Sequence, residues 1–353
     1  MKWISAILLG VSTAFAQDSE APATLAERAR AECRAFLEAQ HVVGMSVALI
    51  DDGELVYEES FGWRDREAQV AADRTTLYRL ASVSKPVTAV LAMQLVQSGK
   101  LDLDVGVSKY VEGLDPRIGA LTLRRLLSHT SGMRHYRADR ADNGTRHLTT
   151  AQALELFVRD PLIAEPGSKY SYSTHAFTLV VAALEGASKR EFVELLRYEI
   201  AARGVPALDC EVAVTEKPLR SALYEKLPAG IVRRSEPRED LSWKYGGGGM
   251  ECTAVDLARF AELVLRAKLL SEESRDALWT RARLADGGSV DYGLGWGLND
   301  SGKLVSHSGS QQGASSALSI QREQGRVVVV LTNTEGGNAP ELGKTLRALA
   351  RPR

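Results

Sequence analysis

Strand-forming patterns sit at the two ends of this chain and helix-forming patterns fill the middle, which leaves few ways to close a sheet. Residues 43–50 and 54–61, joined across Asp51-Asp52-Gly53, predict a hairpin, because an Asp-Gly pair tolerates the left-handed turn between two apolar runs. Residues 303–307, 315–321 and 326–332 return to strand character near the other end. Between them, from Leu80 to about Leu270, apolar residues recur at helical spacing, with candidate helices over 84–97, 151–158, 174–185, 190–202 and 254–266. Thr253 followed by Asp256 resembles a capping box for the last of these. Two further helices frame the whole. Residues 23–39 carry Leu25, Ala29, Cys33, Phe36 and Leu37 at helical spacing, and 340–350 closes the chain. Consecutive strands usually neighbour one another, so the prediction is an α/β fold. It has one mainly antiparallel sheet built from the N- and C-terminal segments, flanked by helices, with an inserted all-helical subdomain. The sheet part covers about 17–79 and 286–353, and the helical part about 80–285. A chain of 353 residues buries a sizeable core without disulfide or metal staples.

Residues 1–16 read differently: Lys2, an apolar run from Trp3 to Val11, then Ala14-Phe15-Ala16 before Gln17. A positive start, a short apolar stretch and a small-residue site predict a secretory signal peptide, leaving 17–353 as the mature, secreted or periplasmic domain. No later stretch approaches the roughly 18 uninterrupted apolar residues of a membrane helix, so no stable membrane span is expected. With 44 Lys+Arg against 45 Asp+Glu the chain lacks the basic excess that phosphate neutralisation requires, which argues against nucleic acid as a partner. Cys33, Cys210 and Cys252 are far apart and read as small buried hydrophobes rather than a bridge. His41, His129, His135, His147, His175 and His307 form no metal-type spacing, so no metal or other cofactor is expected.

Three short motifs carry chemistry. In Ser82-Val83-Ser84-Lys85 the spacing puts a hydroxyl and an amine on one helical face. Serine is a poor nucleophile at neutral pH, and a lysine whose pKa is lowered by burial or a neighbouring cation can take its proton. Pro166-Gly167-Ser168-Lys169-Tyr170-Ser171-Tyr172-Ser173-Thr174 is a turn ending just before a helical pattern. Tyr172 there, as phenolate or as a shared-proton partner, would supply acid and base function, although an aromatic-rich turn is more often packing. Ser306-His307-Ser308-Gly309-Ser310 lies on a strand whose glycine marks close approach by a ligand or another backbone. Taken singly, each motif has a structural reading at least as good as its functional one.

Their order, and the phrases Leu80-Ala81-Ser82-Val83-Ser84-Lys85-Pro86, Leu126-Leu127-Ser128-His129-Thr130-Ser131-Gly132, Gly247-Gly248-Gly249-Met250 and Tyr292-Gly293-Leu294-Gly295-Trp296-Gly297, resemble the serine β-lactamase and penicillin-binding-protein superfamily, particularly class C enzymes and their relatives. The resemblance covers essentially the whole mature chain. Ser128-His129-Thr130-Ser131-Gly132-Met133-Arg134-His135-Tyr136, Tyr172-Ser173-Thr174 and Ser306-His307-Ser308-Gly309 most resemble its mitochondrial serine β-lactamase-like branch, a peptidase-type relative. The resemblance implies Ser82 as nucleophile, with Lys85 and Tyr172 jointly as acid and base. It implies an oxyanion hole from the main-chain N–H groups of Ser82 and Ser310, and substrate contacts from Thr174, His307, Ser308 and Gly309.

Two departures bear on substrate. His307-Ser308-Gly309 stands where many relatives have Lys-Thr-Gly, exchanging a permanent ammonium for a ring mostly neutral at pH 7. Thr174 stands where many have an asparagine, exchanging an amide for a hydroxyl. Both point to an exported peptidase or esterase acting through an acyl-enzyme on a peptide or small molecule. A β-lactamase or D-Ala-D-Ala carboxypeptidase, and a non-catalytic assembling scaffold of the same fold, are the alternatives, and self-assembly is compatible with all three. The remaining conspicuous segments read as architecture. Ser128-His129-Thr130-Ser131-Gly132 is a turn, Gly246 to Gly249 a place of close backbone packing, and Arg233-Arg234 through Asp240 a solvated loop near the cleft rim.

Overall fold

The computed structural model describes residues 23–137, 147–212 and 217–349, so the signal peptide expected over 1–16 lies outside the described residues. Its centre is a seven-stranded sheet. Strands β1 (Gly44–Asp51), β2 (Glu54–Asp65) and β3 (Val70–Ala71) come from the N-terminal end. Strands β4 (Gly297–Asn299), β5 (Leu304–Gln311), β6 (Ala314–Gln321) and β7 (Arg326–Thr332) come from the C-terminal end. The order is β3-β2-β1-β7-β6-β5-β4, and every neighbouring pair is antiparallel. The two halves meet where β1 pairs β7, with Val47 opposite Val330. This is the antiparallel sheet of both termini that the strand patterns predict.

Both faces of the sheet are covered, which explains why its central strands are apolar without alternation. On one face Met45, Val47 and Leu49 join Val328 and Val330 under the two terminal helices, α1 (Leu25–Ala39) and, at the other end of the chain, Ala339–Leu349. Ala29 and Cys33 of α1 are buried there, and the helix starts at a capping box in which Thr24 and Glu27 exchange hydrogen bonds. On the other face Ala48, Ile50, Val327, Val329 and Leu331 pack on the helical part. Each fully buried aliphatic side chain of this kind contributes about 1.5–3 kcal/mol.

Within the helical part, α2 (Ser84–Gln97) and α3 (Thr174–Ser188) are buried nearly all round, α4 (Phe192–Glu199) packs on both, and α5 (Ala254–Leu265) lies against β1 and β7 of the sheet. The Thr253 hydroxyl accepts from Asp256 N at the start of α5. The helix expected over 151–158 is only Thr150–Leu154, and that over 190–202 shortens to α4 plus a 3-10 turn at Ala201–Arg203. A polar helix at Glu272–Leu278, capped by Ser271, was not anticipated. The loop expected from Arg233-Arg234 through Asp240 is corrected at its start, while 235–239 carry no helix or strand. Val232–Arg234 is a strand paired with Tyr224–Lys226, held at the surface by Arg233 to Glu225 at 2.7 Å and Arg234 to Asp65 at 3.1 Å. Ion pairs rather than apolar alternation mark this strand, so periodicity does not reveal it. Cys33, Cys210 and Cys252 are all free and buried. Among the described residues no helix is long and apolar enough to cross a membrane.

Candidate active site

The first motif sits at a strand-to-helix turn. Tyr78–Arg79 pairs with Met250–Cys252, Leu80 N donates to Met250 O at 2.8 Å, and the Ser316 hydroxyl of β6 donates to Leu80 O at 2.6 Å. Ala81 then takes φ of 48°, a left-handed conformation that costs a side-chain-bearing residue about 1–2 kcal/mol. The chain reverses there through the 3-10 turn Ala81–Val83 into α2, leaving half-buried Ser82 at the helix entrance. One turn on, Lys85 is wholly buried with Nζ 3.1 Å from Ser82 Oγ. Its amine donates to Gly247 O at 2.6 Å and reaches Thr174 Oγ1 at 3.3 Å. Burial, and secondly the charge of Lys244, hold the Lys85 pKa well below the usual lysine value.

The second motif is threaded through a histidine frame. His129, itself at φ of 58°, accepts Ser171 N on its carbonyl at 2.7 Å and Ser173 N on Nδ1 at 3.1 Å. His135 Nδ1 accepts Thr174 N at 3.1 Å, and the Ser173 hydroxyl caps α3 by accepting from Ala176 N. Tyr172, between these anchors, packs its ring 4.2 Å from the His129 ring and donates its hydroxyl to Ser82 Oγ at 2.8 Å. Burial raises its pKa, so Tyr172 rests as a neutral phenol. Of the two readings of Tyr172, phenolate or shared-proton partner, this favours the second. Thr174 is also corrected. It is 2% exposed and its hydroxyl faces Lys85, so it lies behind the amine and not on the substrate side.

The third motif lies on β5. A Cβ on Gly309 would stand 2.6 Å from Leu80 O and 2.8 Å from the Ala81 Cβ, so only glycine lets this strand lie against the nucleophile turn. His307 Nδ1 is 2.7 Å from Ser308 O and Nε2 is 2.9 Å from the Tyr292 hydroxyl. A carbonyl only accepts, so Nδ1 carries the proton and Nε2 accepts from Tyr292. Burial is the main cause that lowers the His307 pKa to about 3, which keeps the ring neutral. Ser308 and Ser310 are exposed. Since β4 pairs with β5 only as far as Ser306, residues 307–311 present an edge that no described strand covers, beside the turn holding Ser82.

Ser82, Lys85 and Tyr172 therefore meet, Gly309 brings Ser310 alongside, and His307 stands across from Tyr172 with ring centroids 6.4 Å apart. Sequence reasoning missed Tyr292, which orients His307. It missed His129 and His135, which hold the Tyr172 segment, and Gly247, whose carbonyl receives the amine. The glycines carried a usable signal. A Cβ on Gly247 would stand 2.7 Å from Thr174 Cγ2, and one on Gly295, at φ of 78°, 2.6 Å from Ala89 Cβ and 3.0 Å from Lys85 O. The first lets the glycine run lie against α3, as its expected close packing requires, and the second clears room around α2. A cavity of about 660 Å³ lined by Arg266, Trp279, Lys303 and Arg322 among others shares no residue with this cluster. The site is identified by its convergent groups and not by volume.

Comparison with known proteins agrees with the geometry. The family model described as Beta-lactamase matches residues 29–351. The chain is 28% identical over 380 residues to Esterase EstB of Burkholderia gladioli, covering 93% of this chain and 95% of that one. It is 25% identical over 390 residues to the mitochondrial serine beta-lactamase-like protein LACTB of Bos taurus, covering 80% and 69%. Among solved structures, the octameric penicillin-binding protein homologue from Pyrococcus abyssi superposes with a TM-score of 0.78 at 25% identity, over 92% of this chain and 76% of that one.

Proposed function

The chain belongs to the beta-lactamase family, whose model spans residues 29–351, and on that premise we propose that it is an exported serine hydrolase working through an acyl-enzyme on Ser82. Peptide amides and small esters are its substrates. The observation that carries this reading is the meeting of one hydroxyl, one amine and one phenol at 3.1 and 2.8 Å.

The hydrogen bonds around Lys85 support a division of roles between Lys85 and Tyr172. A neutral amine has two N–H groups and one lone pair. In the neutral amine, Gly247 O and Thr174 Oγ1 can take the two N–H groups, and the lone pair is then available to the Ser82 hydroxyl 3.1 Å away. Ser82 attacks the carbonyl carbon while its proton passes to Lys85. The main-chain N–H groups of Ser82 and Ser310 receive the negative oxygen, a contribution of about 2.7–4 kcal/mol per donor in comparable sites. As the tetrahedral species collapses, Tyr172 gives its proton to the departing amine or alkoxide and is reprotonated by the Lys85 ammonium. Water then attacks the acyl-enzyme by the reverse proton route, freeing the acid and restoring Ser82.

Substrate preference follows from His307. Its ring is neutral and both nitrogens are engaged, so it offers a lactam or peptide carboxylate no cation. Good β-lactam turnover is not expected, and the similarity to an enzyme named as an esterase supports esters as substrates. The apolar segment at residues 1–16 supports export, and the octameric relative supports self-assembly. Ser82→Ala should remove ester hydrolysis by a factor of about 10⁴ or more and abolish fluorophosphonate labelling while circular dichroism stays native. Undiminished labelling of that variant would take Ser82 out of the mechanism.

A further inference from the structure

We propose that Lys244 is a positioning residue for the reaction: its ammonium, on a stem that runs beside Gly248, next to the carbonyl that receives Lys85, keeps Lys85 in the neutral form that takes the Ser82 proton. This rests on the assignment of Lys85 as base. The requirement arises because the immediate surroundings of Lys85 favour its charged form. Gly247 O accepts from Nζ at 2.6 Å, and the faces of Tyr172 and Phe177 lie 4.7 and 5.5 Å away, all of which attract an ammonium. Burial opposes them, and a fixed positive charge nearby adds to it.

Lys244 is placed to be that charge. It is 6% exposed and directly precedes the short helix Tyr245–Gly248, whose Gly247 carbonyl receives Lys85. A Cβ on Gly248 would stand 3.6 Å from Lys244 Cδ and 3.8 Å from the Ala81 carbonyl carbon, so the lysine stem runs beside the nucleophile turn. Its ammonium lies 4.9 Å from the Trp243 ring and 5.8 Å from the Tyr136 ring. Tyr136 packs with its ring centroid 3.8 Å from that of His135, whose ring is 5.4 Å from Tyr172, so the charge rests on an aromatic wall continuous with the proposed catalytic phenol. The titratable groups facing Lys85 are Tyr172, His129, His135 and His307, with Arg134 and His175 beyond His135. Each of these three facing histidines has its pKa held down, so all three stay neutral where Lys85 would act. On the Lys244 side, Asp240 binds the Ser242 amide and hydroxyl and faces His147 at 3.9 Å.

The test is the pH profile of kcat/KM for p-nitrophenyl acetate in the full chain, for wild type, Lys244→Met, Lys244→Gln and Lys244→Arg. Lys85 must be uncharged to act, and removing a nearby positive charge raises its pKa. The acid limb therefore moves to higher pH in the Met and Gln variants. Activity falls about tenfold at the foot of the limb and less than about twofold on the alkaline plateau. Lys244→Arg keeps the charge and holds the limb in place. A folded Met or Gln variant whose limb coincides with that of wild type, or whose loss is uniform with pH, would overturn the inference and leave a structural role only. Loss of labelling in Ser82→Ala tests the underlying assignment separately, so the two failures are distinguishable.

Discussion

At the scale of single residues, the candidate site is defined by which atoms are left with an unused lone pair or proton. As a neutral amine Lys85 spends its N–H groups on Gly247 and Thr174, and Tyr172 spends its O–H on Ser82. Thr174 is thus an instrument of Lys85, and Thr174→Val should lower kcat several-fold with KM nearly unchanged, whereas Thr174→Ser should restore it. A rise in KM alone would put the hydroxyl back on the substrate. Keeping Lys85 neutral has a thermodynamic cost. Its folded-state pKa is depressed below 10.5, so between the folded and the unfolded value the unfolded chain binds more proton at this site than the folded one. Stability contributed by the site therefore rises with pH until the unfolded lysine also deprotonates. Lys85→Met should melt at a higher temperature than wild type at pH 7, with the gap narrowing as pH approaches 10.5. The candidate nucleophile, amine and phenol were legible in the sequence because each stands inside a short fixed-spacing motif. The Tyr292 to His307 bond and the Lys244 charge were not, since they depend on how distant turns pack.

The elements place those residues, and glycine decides how closely they approach. β5 touches the nucleophile turn only because Gly309 lacks a Cβ, and the neighbouring atom is a backbone carbonyl that cannot rotate away. Gly309→Ala should displace the strand edge from Ser82, costing about 1–3 kcal/mol of stability together with most of the activity, as read by thermal melting and ester turnover. An alanine variant with wild-type kcat/KM would show that the strand edge does not form part of the oxyanion site. Periodicity revealed α2 and α3 although both are buried nearly all round, since their length alone exceeds that of a strand. It failed for the three-residue β4 and for Val232–Arg234. The former is too short to show a period, and the latter is held by ion pairs between exposed side chains.

For the whole molecule, the decisive fact is that the sheet closes across the chain's two ends, so the site is assembled only when the last strand docks on the first. That much of the architecture was readable from the distribution of strand and helix patterns. The histidines add a global pH dependence. His129, His135 and His307 are neutral in the folded state, with His135 and His307 lowered to about 4 and about 3 from 6.5. Below 6.5 the unfolded chain therefore takes up protons that the folded one refuses. Stability should fall as pH drops from 6.5 toward 3, with a slope exceeding that of one group, in urea unfolding across that window. The central claim concerns the covalent intermediate, and intact-mass analysis with peptide mapping after acid quench reads it directly. Wild type mixed with p-nitrophenyl acetate should carry a single acyl group on Ser82, absent from Ser82→Ala. An adduct on another residue, or turnover by folded Ser82→Ala at the wild-type rate, would contradict the account.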